Sequence, residues 1–498
     1  MSASSTTLEL DLAADDVALL LRQPELFEPG SRRRLSKARA GKSKLLWYDT
    51  AEGELAADCV SLAHGAERGA TWRMERLVPR PGEIAAPGMP AALIENADEP
   101  PGHLAALLLP VAAYEHSTRE LRPASLSPRV VLRQGEMRAV AAQTPLCRLT
   151  IGGDGAAALA MEWATRLRLS APAESLAAVG LRLAGRPTPM RPLGAPTLDA
   201  GQSVSDAFAA IVAHLSGVML HYAGLADGAH GPEPVHQMRV ALRRLRSASS
   251  LFRRAVDCQA LADATDRLRQ TGRALGPARD WEVFALGAGA KLDAIFPDDK
   301  SVQDLLAAAR RKQTAGYAAL REHLAGPDWR CLGIALAALS AGRPWEEIRE
   351  GEDDASAQER REQHSLPLID FAGRALNRRH RTLTEQGMDI SGLDAAALHA
   401  LRLRCKRMRY ACEFFAPLYP GRVTRRFLRR LSRLQERLGE LNDGAVAAGL
   451  MAQLTSRGSA RAEAIGIVRG YVAARSGADR RRIERAWRRL LKQECFWA

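Results

Sequence analysis

The chain has 498 residues, 46% of them hydrophobic and 26% charged, with a net charge of +14. That length exceeds what one compact core usually supports, so two or three domains are expected. The seven cysteines are scattered singly with no C-x-x-C pair, which argues against a disulfide framework or zinc site and for a reducing compartment.

No apolar run approaches a membrane span; the nearest, Leu104 to Ala113, is interrupted by Pro110. The opening MSASSTTLELDL has neither a basic n-region nor a cleavable apolar segment, so a cytoplasmic protein is expected. Charge is unevenly shared. Residues 1–200 hold 23 basic and 23 acidic side chains, so the whole +14 falls on residues 201–498, with 48 basic against 34 acidic. Such asymmetry points to an anionic partner for the second part: nucleic acid, polyphosphate or a membrane surface.

In chain order, Thr7–Leu12, Lys44–Tyr48, Arg129–Val140 and Leu146–Ile151 read as strands, Ala156–Leu169 as a helix and Val179–Leu183 as a last strand. This describes an α+β domain of antiparallel character over residues 1–183. A Pro/Gly-rich linker at residues 184–200 follows. Downstream, apolar residues recur at helical spacing over Ala207–Leu225, Val235–Ala255, Leu261–Leu275 and Val302–Leu324. After the polar stretch Glu346–Gln363 they do so again over Leu366–Leu383, Ala396–Phe415, Val423–Leu438 and Ala462–Leu491.

The two groups repeat one another. VHQMRVALRRLRSASSLF at Val235–Phe252 aligns with LHALRLRCKRMRYACEFF at Leu398–Phe415, 163 residues later, and Leu275-Gly276 and Asp280 align with Leu438-Gly439 and Asp443. Residues 201–498 thus form an all-α duplicated domain, with repeats at about 201–345 and 364–498. In each copy, basic residues follow i, i+3, i+7, i+10: His236, Arg239, Arg243 and Arg246, then His399, Arg402, Lys406 and Arg409. At about 100° per residue these lie within an arc of roughly 80°. Met238, Leu242, Leu245 and Phe252, echoed by Leu401, Cys405, Met408 and Phe415, form a separate apolar stripe.

No Asp or Glu lies between Val235 and Val256 or between Leu398 and Cys412, so the columns are not locally neutralised, although Asp280 or Asp443 could reach them. Arginine forks and a lysine suit phosphate oxygens. The columns hold no aromatic except Tyr410 and no groove-entering motif, which favours a linear phosphate polymer over nucleic acid, a weaker competitor. The two histidines could add charge that depends on pH.

These motifs, with LGPARDWEV at Leu275–Val283 and LGELNDGAV at Leu438–Val446, resemble the CHAD family (conserved histidine α-helical domain) over about Gln202 to Trp487. The resemblance implies two pseudo-symmetric helical bundles around a basic pore that binds inorganic polyphosphate, often at cytoplasmic polyphosphate granules. It carries the eight column residues as ligands. Arg267 and Arg430, aligned at the repeat offset, and Arg374 and Arg378, one turn apart, are expected to join them.

The first 183 residues resemble a degenerate CYTH domain, a triphosphate-tunnel β-barrel. LLWYDTAEGELA at Leu45–Ala56 matches that family's tyrosine-aspartate-threonine turn. Of its opening E-x-E-x-K strand, Glu9 and Asp11 remain without the Lys; Arg148 and Thr150 replace a second acidic pair, and SLAHGAERG lacks R-x-R. Without those carboxylates there is no evident way to hold Mg²⁺ or Mn²⁺ against phosphate, so no cofactor and no catalysis are expected. GKSK at Gly41–Lys44 is not a phosphate loop, since Ser36 stands where the leading Gly belongs. The alternatives are a metal-dependent triphosphatase in the first domain and a nucleic-acid-binding module in the second.

Overall fold

The computed structural model describes residues 6–22, 41–67, 69–80, 82–121, 128–186, 193–347, 352–454 and 461–497, apart from the side chains at 441–443, 445 and 472–479. Residues 187–192 of the linker expected at 184–200, residues 348–351 of the stretch Glu346–Gln363, and the Asp443 side chain lie outside these described parts.

The first part runs β1 (Thr7–Leu12), α1 (Ala14–Arg22), β2 (Gly41–Asp49), α2 (Glu54–Ala57), β3 (Val60–Gly65), β4 (Trp72–Arg76), β5 (Ala92–Ala97), β6 (Leu109–Leu121), β7 (Arg129–Ala139), β8 (Gln143–Gly152), α3 (Ala156–Arg166), β9 (Leu169–Ser170) and α4 (Leu176–Leu183). The nine strands form one sheet in the order β5-β4-β3-β2-β6-β7-β8-β1-β9, antiparallel at each pairing. The sheet does not close into a ring: β5 and β9 are its two edge strands. Register shifts at Trp47/Tyr48 and Met74/Glu75 bend it. At Gly135 of β7 a Cβ would stand 2.0 Å from the Glu115 carbonyl, so only glycine lets β6 and β7 approach there. The turn after β2 is fixed by Asp49, whose buried carboxylate accepts the Thr50 and Leu55 N–H groups at 2.8 and 2.9 Å.

Sequence periodicity misses β3 to β6, which are short or flanked by Gly and Pro, and it misassigns Val179–Leu183. That segment belongs to α4, because the Ser175 hydroxyl caps the helix by accepting the Ala178 N–H at 3.2 Å.

The second part comprises α5 (Val204–Ala223), α6 (Glu233–Val256), α7 (Gln259–Phe284), a π-helical turn at Ala285–Gly289, α8 (Ala290–Ile295), α9 (Lys300–Ala325), α10 (Pro327–Gly342), α11 (Asp354–Ser365), α12 (Leu368–Gln386), α13 (Ala395–Phe415), α14 (Arg422–Leu454) and α15 (Ala462–Leu491). Eight correspond to expected helices; α8, α10 and α11 are additional. Helix α7 continues through Pro277 to Phe284, and the 33-residue α14 runs past the expected stop at Leu438 to Leu454. Helix α5 is long and apolar enough to cross a membrane, a run the sequence reading passed over. Here 72% of its apolar window is buried in the bundle.

The duplication is visible in contacts between equivalent residues. Phe252 and Phe415 stand 6.1 Å apart by ring centroid, and Phe371, the mate of Phe208, stacks on Phe252 at 4.7 Å. Farther along, the Ala464 N–H donates to the Ser301 hydroxyl at 3.1 Å, a pair separated by the repeat offset of 163. Backbone bonds Val204 N–H to Leu366 O and Leu368 N–H to Gln202 O join the starts of the copies at 3.1 and 3.0 Å. One apolar core runs through both copies, from Phe208, Leu242 and Phe252 to Met408, Phe415 and Trp487. Helix α10 packs Leu332 and Leu336 into this bundle and buries Cys331, Ile334 and Ala337 on its other side against the sheet domain.

Candidate functional site

Helix α6 starts with Glu233 in its first turn and ends with Arg253 and Arg254 in its last, the favourable arrangement for the helix dipole. Helix α13 is capped by Asp394, whose carboxylate accepts the Ala397 N–H at 2.8 Å. Both bury the apolar stripes read from the sequence: Met238, Leu242, Leu245 and Phe252, and Leu401, Cys405, Met408 and Phe415. The columns therefore stand beside the core. His236, Arg239, Arg243, Arg402, Lys406 and Arg409 are half-buried, while Arg246 and His399 are exposed.

The first column faces α7. Arg239 reaches Asp280 at 3.7 Å and passes over Gly276, whose Cβ position would lie 3.9 Å from its guanidinium, an ordinary contact. Burial and the Arg279 guanidinium push the His236 pKa below its ordinary value. Arg279 is itself anchored on the buried Glu282 at 2.7 Å, and Glu282 accepts from the Tyr317 hydroxyl at 2.5 Å. The LGPARDWEV segment thus supplies a braced wall for the column.

Two links join the first copy to the second. Arg243 Nε donates to the Tyr410 hydroxyl at 3.2 Å. Glu413 lies between Arg244 at 2.9 Å and Arg409 at 3.2 Å. One residue past the acid-free stretch, Glu413 neutralises part of the second column, a partner that the sequence reading did not assign.

Beyond these links lies a chain of like charges. Arg246 is held below its usual pKa by burial, then by Arg269 and Arg407. Arg379 of α12 is pushed down to about 10 by burial, then by Arg407 and Arg378. Arg378 is lowered by burial, then by Arg254, Arg374 and Arg381. Among the described residues Arg246, Arg378 and Arg407 have no carboxylate within ion-pair distance, and Arg379 has only the Ser250 hydroxyl, at 3.5 Å. Arg378 and Arg374 stand on this surface. Arg407 and Arg379 were not singled out beforehand, because one lies off the column spacing and the other has no basic counterpart at the repeat offset.

Arg267 and Arg430 do not join the columns. At 100° per residue Arg267 sits on the side of α7 opposite Gly276, and it faces Asp328 of α10 at 4.0 Å. Arg430 occupies the equivalent far side of α14 and donates to the Arg489 carbonyl at 2.5 Å. No cluster with metal-ligating composition occurs among the described residues.

A cavity of about 670 Å³ lies between the sheet, which lines it with Glu9, Arg133 and Arg148, and α5, which contributes Gly217 and His221. Asp11 and Arg148 are cross-strand neighbours and form an ion pair at 2.9 Å, with Arg148 1% exposed. Burial pushes the Asp11 carboxyl up, and Arg148 opposes it. Glu9 pairs in register with Thr150, whose hydroxyl accepts from Arg133 at 3.1 Å.

A duplicated helical domain with cation columns at matched positions defines a class. The chain matches the CHAD domain over residues 204–452 and belongs to the CHAD family. The crystal structure of the CHAD domain from the plant Ricinus communis is 29% identical, with a TM-score of 0.52, over 61% of this chain and 97% of that one. PptA from Streptomyces chartreusis aligns at 16% identity and a TM-score of 0.44, over 58% and 100% of the chains. An uncharacterised Mycobacterium tuberculosis protein, MT2285, is 30% identical over 185 residues. That stretch is 36% of this chain and 33% of the relative's length.

Proposed function

We propose that the helical domain binds inorganic polyphosphate along the surface defined by His236, Arg239, Arg243 and Arg246 of one copy and His399, Arg402, Lys406 and Arg409 of the other. The observation that carries this reading is the run of mutually repelling guanidiniums through Arg246, Arg407, Arg379 and Arg378, of which Arg379 is half-buried and none has a carboxylate within ion-pair distance among the described residues. Folding accepts such repulsion here, and a phosphate polymer would relieve it. A nucleic acid would share the electrostatics, but the surface lacks interleaved aromatics for stacking. Equilibrium binding to long-chain polyphosphate, with RNA and DNA as competitors, tests the assignment.

In this reading the protein associates with cytoplasmic polyphosphate granules, and a fluorescent fusion that fails to follow the granules would contradict that placement. The sheet domain acts as a degenerate, CYTH-like, non-catalytic scaffold. Arg148 occupies the ground that a second acidic pair would need, and it engages Asp11.

A further inference from the structure

The two copies differ on their outer faces. In the first, α10 packs across α7 and α9, inserting Leu332 and Leu336 beside Leu268 and Leu320, and Asp328 meets Arg267. In the second, the chain after α15 turns instead to α12, where Trp497 Nε1 donates to Asn377 Oδ1 at 2.8 Å. The α14/α15 surface is left as an open groove of about 700 Å³.

Its walls are two facing rows of arginine. Arg430, Arg433 and Arg437 rise from α14, and Arg482, Arg485 and Arg489 from α15, each row at i, i+3, i+7. The rows run antiparallel, Arg430 meeting the Arg489 end. Each spans about 10 Å at 1.5 Å per residue. Among the described residues two acids stand beside them: Glu436 at the rim, and Glu440, which accepts from Arg437 at 2.9 Å. At the positions equivalent to Arg433, Arg437, Arg482 and Arg485 the covered groove of the first copy has Gln270, Ala274, Ala319 and Glu322. The charge is thus specific to the open face.

We infer that this groove is a second polyphosphate-binding segment, which a long polymer reaches by wrapping around α14 from the columns. The inference rests on the function proposed above. Arg430, Arg433 and Arg437 lie roughly 120–180° around α14 from Gly439, the counterpart of the column-facing Gly276, so the two sites occupy opposite sides of one helix about 10 Å thick. The lining holds no aromatic for base stacking and no apolar rim for a lipid surface. Joining two sites on one polymer raises the effective concentration at the second, so affinity rises with chain length.

The test uses the full chain with long-chain polyphosphate and with tripolyphosphate, comparing wild type, the double variant Arg433→Ala/Arg485→Ala and Arg243→Ala. Both groove positions are exposed, and thermal melts check that the fold is kept. The double variant is expected to lose roughly tenfold or more in affinity for the long chain, with a shallower salt dependence. Tripolyphosphate, too short to join the two sites, should lose markedly less affinity than the long chain, and the corresponding lysine variant should retain most of the long-chain affinity. If Arg243→Ala weakens long-chain binding and the groove variant does not, the second segment is refuted while the proposed function stands. Absence of polyphosphate binding by wild type removes both. Loss of RNA binding alone in the groove variant would mark a nucleic-acid site and overturn the inference.

Discussion

Arg243 Nε donates to the Tyr410 hydroxyl at 3.2 Å, across 167 residues of sequence and from one copy of the repeat to the other. The contact places the middle of the first column against the end of the second, so the columns meet in one surface.

Glu413, three residues beyond Tyr410, is bound by Arg244 and Arg409. Glu413→Gln leaves two guanidiniums facing each other and should lower stability by about 1–3 kcal/mol. It also removes a competitor for the same cations, so polyphosphate affinity should increase severalfold. Thermal melts and titrations on one preparation check both; weaker binding by the folded variant would count against Glu413 as competitor.

The His236 pKa is held down by burial and Arg279, so the folded free protein binds its proton less readily than the unfolded chain does. Its contribution to stability is full above about pH 6.5 and is lost as pH falls below that value. A bound polyanion favours the protonated form, so polyphosphate affinity should rise from pH 7 towards acid, and His236→Gln should flatten that profile. His116, His323 and His380 are lowered as well. The binding titration, rather than the melt, therefore isolates His236.

Leu242 is 3% exposed in the core beneath the column. Leu242→Ala should cost about 2–5 kcal/mol of stability, while affinity per folded molecule is kept. A selective loss of binding at unchanged melting temperature would mean that the stripe and the column do not have separate roles.

In the sheet domain, Arg148→Ala would leave the partly exposed Asp11 without its partner and should destabilise by about 1–3 kcal/mol. Incubation of wild type with triphosphate and Mg²⁺ or Mn²⁺ should release no phosphate above background. Metal-dependent release abolished by Glu9→Gln would restore the triphosphatase reading.

The helical half was largely legible because amphipathic period and an ungapped repeat act locally and twice over; α6 and α13 bury the stripes that their spacing indicates. The site was legible only along each helix. Asp280 does meet Arg239, but Glu413, Arg379 and Arg407 join the surface through packing between helices, which spacing does not encode. Arg267 and Arg430 show the converse: alignment made them equivalent, while helix rotation turned them from the columns. In the sheet domain, cross-strand pairing and the Ser175 cap outweighed the β-like appearance of Val179–Leu183.

The central claim is that the two columns form one polyphosphate site, and binding by Arg243→Ala and Lys406→Ala tests it most directly. Each substitution removes one cationic contact worth about 1.5–3 kcal/mol, so each should weaken long-chain polyphosphate binding by roughly one to two factors of ten. Circular dichroism and melting should remain those of a folded protein. If either variant unfolds while binding per folded molecule is spared, or if both bind as wild type does, the columns are structural and the account fails.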